Sequence, residues 1–140
     1  MEKTMDEKKI LVSLEDVTSG VLHGNAGTFR IYIDGPTCGA KNFSLLQNTI
    51  KAGAEGSEHR HDEEHCFYVL SGTGTMYVDG KAYPMKPKSA IFVPPNALHK
   101  PVVDPGSDLD VLVIYSPPGP DQKLRNRQER AFEDDSPKKG

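Results

Sequence analysis

The sequence predicts an all-β domain, a sandwich or barrel of about nine or ten short strands. Three observations carry this. Short runs rich in β-branched and aromatic residues recur, such as TFRIYI at 28–33 and LDVLVIY at 109–115. Glycine (13) and proline (11) fall between those runs as turn residues. Almost nothing before residue 116 shows the 3.6-residue period of a helix.

Residues 1–20 are expected to form an N-terminal arm and first strand: 1–8 are charged and frayed, and 10–14 supply the strand. Residues 21–116 form the barrel. Its next strands are 28–33, ended by Asp34-Gly35-Pro36, and 43–50, ended by the break KAGAEG. A histidine-bearing strand follows, then the acidic connection Asp62-Glu63-Glu64. Residues 65–70, 75–78 and 81–85 are strands, the last two joined by Asp79-Gly80, a strong hairpin signal. Residues 90–93, 98–103 and 109–115 complete the set. Residues 117–140 are a largely mobile polar tail with room for one short helix, 122–132.

Net charge is −3, which gives no reason to expect nucleic acid or an anionic membrane. The late basic residues Lys123, Arg125, Arg127 and Arg130 are interleaved with Asp121, Glu129, Glu133 and Asp134, as on a solvated tail. The segment MEKTMDEKKILVSLEDV lacks the apolar stretch of a signal peptide, and no run reaches transmembrane length. A cytoplasmic setting is expected, with Cys38 and Cys66 as free thiols. No C-x-x-C occurs, so a structural zinc knuckle is not expected.

Four of the five histidines form two clusters: His59, His61 and His65 in GSEHRHDEEHCFYVLSG, and His99 in FVPPNALHK. Residues i and i+2 of a strand face one way, so the first three share a face. His99 closes the next strand block. Neutral imidazole suits Zn, Cu, Fe and Ni, and Mn where geometry favours it, so one divalent transition metal is the expected cofactor. His23, in VLHGNAG, reads as a loop residue. Cys66 has the opposite parity and points away from the cluster.

These residues resemble the cupin superfamily. Gly53, five residues, His59-x-His61, three residues, His65, six residues and Gly72 follow its first motif, with His65 where the family carries Glu. Pro94 and His99 keep its second motif. Lys88 and Asn96 stand where that motif has glycine, and Val103 where it has Asn. The resemblance implies a double-stranded β-helix, or jelly-roll barrel, commonly a homodimer. It implies a divalent metal at the barrel mouth held by His59, His61, His65 and His99. The Glu-to-His departure resembles the small bacterial cupins with four histidine ligands. Glu64 is the neighbouring candidate ligand, but a one-residue slip would turn it to the other face.

Four neutral ligands leave the ion its full charge, favouring anionic, chelating substrates and strong Lewis acidity. Two adjacent positions stay open on an octahedral ion. Each ligating histidine is expected to bond a carbonyl or carboxylate through its second nitrogen. Glu63 shares the histidines' parity and is the candidate general base, though Asp62-Glu63-Glu64 also reads as a solvated acidic turn. Tyr32 and Tyr77 are the other acid–base candidates. Phe67, Val69, Ile91 and Val93 would make an apolar wall. The expected function is a dioxygenase-type oxidoreductase acting on a small enolate, diketone or phenolic substrate. The alternatives are a non-redox lyase, isomerase or decarboxylase, and a non-catalytic small-ligand binder.

Overall fold

A computed structural model describes residues 8–130, with the side chains of 127–130 left out. Nine strands follow in chain order: β1 (Thr18–Val21), β2 (Gly27–Ile33), β3 (Ser44–Ile50), β4 (Glu64–Ser71), β5 (Gly74–Val78), β6 (Lys81–Met85), β7 (Ala90–Val93), β8 (His99–Val103) and β9 (Leu109–Ser116). A one-turn helix α1 (Gly35–Cys38) follows β2, and α2 (Pro120–Arg130) follows β9. The strands form two antiparallel sheets, ordered β1-β2-β3-β9-β4-β7 and β6-β5-β8. This is the expected cupin jelly roll. Among the described residues no helix is long and apolar enough to cross a membrane.

Alternation decides which face is buried. In β9, Leu109, Val111, Val113 and Tyr115 point inward, and in β3 Leu46 and Ile50 do the same. Phe29 and Ile31 of β2, Phe67 and Val69 of β4, Met76 of β5, Met85 of β6 and Val103 of β8 complete the core. Burying this apolar surface is the main favourable term in closing the two sheets.

The turns explain how the motif survives its substitutions. Lys88 (φ 70°) and Asn96 (φ 64°) adopt left-handed backbone at the two positions where the resembled motif has glycine. Asn tolerates that region well and Lys poorly. The geometry is therefore kept while the residue type is not. Gly72 (φ 88°) is stricter, since a Cβ there would overlap the carbonyl of Asp108.

Three expectations are corrected. Residues 10–14 are not a strand: Ile10 and Leu11 are exposed, and a 3-10 turn, Leu14–Asp16, leads into β1 at Thr18–Val21. With no neighbouring strand offering a ladder there, the local apolar run was insufficient. Residues 59–61 lie in a loop joined to β8 by isolated bridges at Glu55 and His59 rather than in a strand of their own. The helix begins at Pro120, two residues before the expected start, because Pro fits the first helical turn. Its expected end at Phe132 lies outside the described residues.

Candidate metal centre

The histidines reach one point from both sheets. His65 projects inward from β4 and is buried; His99 opens β8 on the other sheet and is fully buried. His59 and His61 come from the β3–β4 loop. That loop is stitched down by main-chain bonds: the His59 amide donates to the His99 carbonyl (3.0 Å) and the His99 amide to the His59 carbonyl (2.9 Å). The Asn96 amide donates to the His61 carbonyl (2.7 Å).

The ligand nitrogens of His59, His61 and His99 lie within 4.8 Å of one another. His65 is outside that tight trio, with its ring centre 5.1 Å from that of His61 and 5.3 Å from that of His99. Three rings are fixed in one tautomer. Nδ1 of His59 faces the Ser57 carbonyl (3.0 Å), Nδ1 of His61 the Glu63 carbonyl (3.1 Å), and Nδ1 of His99 the Ala97 carbonyl (3.0 Å). A carbonyl only accepts, so each Nδ1 carries the proton and each Nε2 keeps a bare lone pair. Nε2 of His61 and His99 and both ring nitrogens of His65 are buried without a hydrogen-bond partner. Buried polar atoms are rarely left so. A divalent cation among these nitrogens fits the donor set, and the carbonyl partners are what ligating histidines require.

Burial also keeps the rings neutral. Desolvation lowers the pKa of His61, drives that of His65 well down, and takes that of His99 down to about 4. Each ring's positive neighbours, were they protonated, would add to the effect.

The surroundings are partly those the sequence predicted. Phe67 lies against His65 (ring centres 4.2 Å apart), and Val93 pairs with His65 across the β4–β7 ladder. Val69 and Phe67 are core residues and Ile91 is partly buried against them. Tyr77 is half-exposed on the outer side of β5, and Tyr32 alternates with the inward-facing Ile31 of β2, so both guesses point out of the barrel rather than toward the cluster. Cys66 is half-buried on the opposite face from His65, and burial pushes its thiol up. His23 opens the short turn His23–Asn25. Glu64 is exposed at the start of β4.

Tyr115 was not foreseen. It pairs with His65 in the β4–β9 ladder and stacks on its ring (4.2 Å, 27°), with its edge toward His61 (5.7 Å). Burial, with Asp121 and Glu63 nearby, pushes its phenol above the ordinary range, so it stays neutral. Its inward parity in β9 was the available signal. Glu63 places Oε1 3.6 Å from Nδ1 of His61, on the side away from Nε2. Its carboxylate lies against the backbone of Gly119, where a Cβ would overlap it. A recess of about 410 Å3 opens elsewhere, between the edges of β6 and β7, and is lined by residues such as Asp79, Lys81, Tyr83 and Phe92 rather than by the histidines.

The Cupin domain family matches residues 47–115, which span every one of these histidines. The chain belongs to the cupin superfamily. It is similar to auxin-binding protein 1 of Arabidopsis thaliana (33% identity over 106 residues, 69% of this chain and 54% of that one), and so spans about half the length of that relative. It is similar to L-ectoine synthase of Rhodococcus jostii (29% identity, 74% of each chain). Among solved structures it is similar to the polyketide cyclase RemF from Streptomyces resistomycificus (28% identity, TM-score 0.68, 77% of this chain and 79% of that one).

The neutral histidines make a stability prediction for the metal-free cupin. The unfolded chain protonates histidine near its ordinary pKa of 6.5, while folded His99 resists until about 4. Stability is therefore complete above about pH 6.5 and is lost as pH falls toward 4. The slope is about 1.4 kcal/mol per pH unit for each such histidine. Thermal melts of chelator-treated protein should shift down steadily between about pH 7 and pH 5. A flat profile would contradict burial of these rings in the neutral form.

Proposed function

We propose that this cupin is a metal-dependent enzyme holding one divalent transition ion through His59, His61, His65 and His99. The observation that carries the proposal is the set of buried Nε2 lone pairs, aimed together by carbonyls that hold each Nδ1 proton. The fourth member, His65, is supported by two unpartnered ring nitrogens and by ring centres about one imidazole from the trio. A bound divalent ion would act as a Lewis acid that acidifies carbon next to a chelated carbonyl or phenol.

The chain's own residues support non-redox enolate chemistry, of the cyclisation or elimination type, on a small chelating substrate. Sequence alone favoured a dioxygenase because the inward positions read as apolar and no acid–base pair was obvious. Tyr115 offers a proton donor: a buried, neutral phenol stacked on one proposed ligand and at right angles to another. It would stabilise negative charge growing on a substrate oxygen and return a proton. Glu63 then serves as a positioning residue for His61 rather than as the general base. The similarity to a polyketide cyclase and to L-ectoine synthase adds weight. The dioxygenase is the second reading, favoured by the apolar floor of Phe67 and Val93, which would tolerate O2 beside an electron-rich chelate.

Metal-loaded protein, tested in turn with Mn, Fe, Ni, Cu and Zn, should process or deuterium-exchange enolisable diketones or phenolic ketones in D2O without oxygen. Tyr115→Phe should slow this about 100-fold. Turnover that requires and consumes O2 establishes the dioxygenase instead. No turnover or exchange with any metal contradicts an enzyme.

We also propose a homodimer in a reducing, cytoplasmic setting, which two unpaired thiols suit. The outer face of the large sheet carries Phe92, Cys66, Ile114 and Leu45 in one cross-strand row and Ala90, Tyr68 and Leu112 in the next. Phe92 is 58% exposed. Such a patch calls for a partner, and a second copy offers a matching one. Sedimentation equilibrium should give a dimer that Phe92→Glu and Tyr68→Glu convert to monomer. A monomeric wild-type protein would refute this.

A further inference from the structure

Among the described residues no ladder joins β6 to β7: β6 pairs with β5, and β7 with β4. The β5–β6 ladder sets the inward face of β6, placing Lys81, Tyr83 and Met85 opposite Val78, Met76 and Gly74. Met85 is 1% exposed, Tyr83 is 42% exposed, and Lys81 is exposed too. The seam between the sheets therefore gapes toward the Asp79-Gly80 hairpin, at positions that a closed sandwich fills with side chains. The recess of about 410 Å3 lies in that gap. Its size is that of a small-ligand pocket.

Its lining is apolar with one free charge. Val78, Ile91, Phe92, Ala90 and Pro94 supply the apolar surface, and Tyr83 lines it from the β6 side. Asp79 and Lys81 also line it, but they are not equivalent. Asp79 is turned to Leu98: its amide donates to the Leu98 carbonyl (2.7 Å), and its Oδ1 accepts from the Leu98 amide (2.9 Å). Lys9, Lys100 and Arg125 each have a carboxylate partner; among the described residues Lys81 makes no ion pair. An inward-pointing lysine blunts an open sheet edge. Edge protection alone does not call for a cavity flanked by two aromatic residues. The histidines take no part in the lining, although Val78 is the cross-strand partner of His99, so the recess and the metal centre share one wall.

We propose that this recess is a second ligand site, for a small flat organic anion whose apolar body lies between Tyr83 and Phe92 and whose one charged group meets Lys81. The proposal is independent of the metal-site reading. The ligand needs no chelating atoms, and its charge is met by an ammonium rather than by a metal. Contact with Val78 and Ile91 takes the apolar body out of water and supplies most of the affinity. Lys81 supplies the preference for an anion over a neutral molecule of the same shape.

The test titrates full-length protein with 8-anilinonaphthalene-1-sulfonate and with N-phenyl-1-naphthylamine, which has the same body and no sulfonate. Both fluoresce when taken out of water. Wild type should bind the sulfonate saturably, with the same affinity before and after chelator treatment. The ratio of the two affinities in wild type, divided by the ratio in Lys81→Met, removes the probes' own chemical differences. It should be about three, the size expected for a partly exposed ion pair, and should shrink toward one at about 1 M salt. Lys81→Arg should keep most of it. Tyr83→Ala should weaken both probes about tenfold. Tyr68→Glu, on the outer face of the large sheet, should weaken neither. Thermal melts check that each variant is folded, since dye also binds loosened protein. A quotient of one, or unchanged affinities in folded Tyr83→Ala, overturns the proposal. Binding lost in Tyr68→Glu puts the dye on the outer sheet face, and binding lost with chelator puts it at the metal centre; either overturns the site. Wild type that binds neither probe saturably does so as well.

Discussion

The reciprocal main-chain pair between His59 and His99 is the contact on which the site depends. Each residue gives its amide to the other's carbonyl. This pair fixes His59 directly, while the Asn96 amide holds the His61 carbonyl and the Glu55–Val102 bridge holds the start of the 51–63 segment on β8. With the pair, a loop residue takes on the register of β8. The local bonds from Nδ1 to the carbonyls of Ser57, Glu63 and Ala97 then set each ring's tautomer and aim. Backbone geometry does the arranging, so the side chains remain available for a ligand.

The arrangement carries a cost that points to its use. Polar nitrogens are buried without partners, and burial holds the rings neutral well below their usual pKa. Unpartnered buried donors and acceptors oppose folding. A bound cation would reverse that sign by turning the orphaned lone pairs into bonds, coupling metal affinity to stability. The apolar floor of Phe67 and Val93 and the stacked Tyr115 exclude water from one side. That strengthens any electrostatic effect at the open side.

Much of this was legible in the sequence, for definable reasons. Alternation located the barrel strands, and Asp79-Gly80 marked the β5–β6 hairpin, with both residues at positive φ. Histidine parity grouped His59, His61 and His65, and the next strand block supplied His99; the four rings lie together even though 59–61 proved to be a bridged loop. Parity survives there because a single antiparallel bridge imposes the same local geometry as a ladder. What escaped was long-range. Tyr115 looked like one more core position of β9 until the β4–β9 register set it on His65. The link from α2 to the mouth depends on Ser44, Asp34 and Thr37, far from it in the chain. No local pattern records such pairings. Residues 10–14 failed the other way: they have strand composition but no partner strand.

The most direct test of the central claim is metal stoichiometry by elemental analysis after equilibrium dialysis against nickel, on wild type and three variants. The account predicts one ion per wild-type chain, its loss in His61→Ala, a clear drop in His65→Ala, and wild-type content in Glu64→Ala. Wild-type protein that retains no ion would contradict it, as would equal content in the His65→Ala and Glu64→Ala proteins.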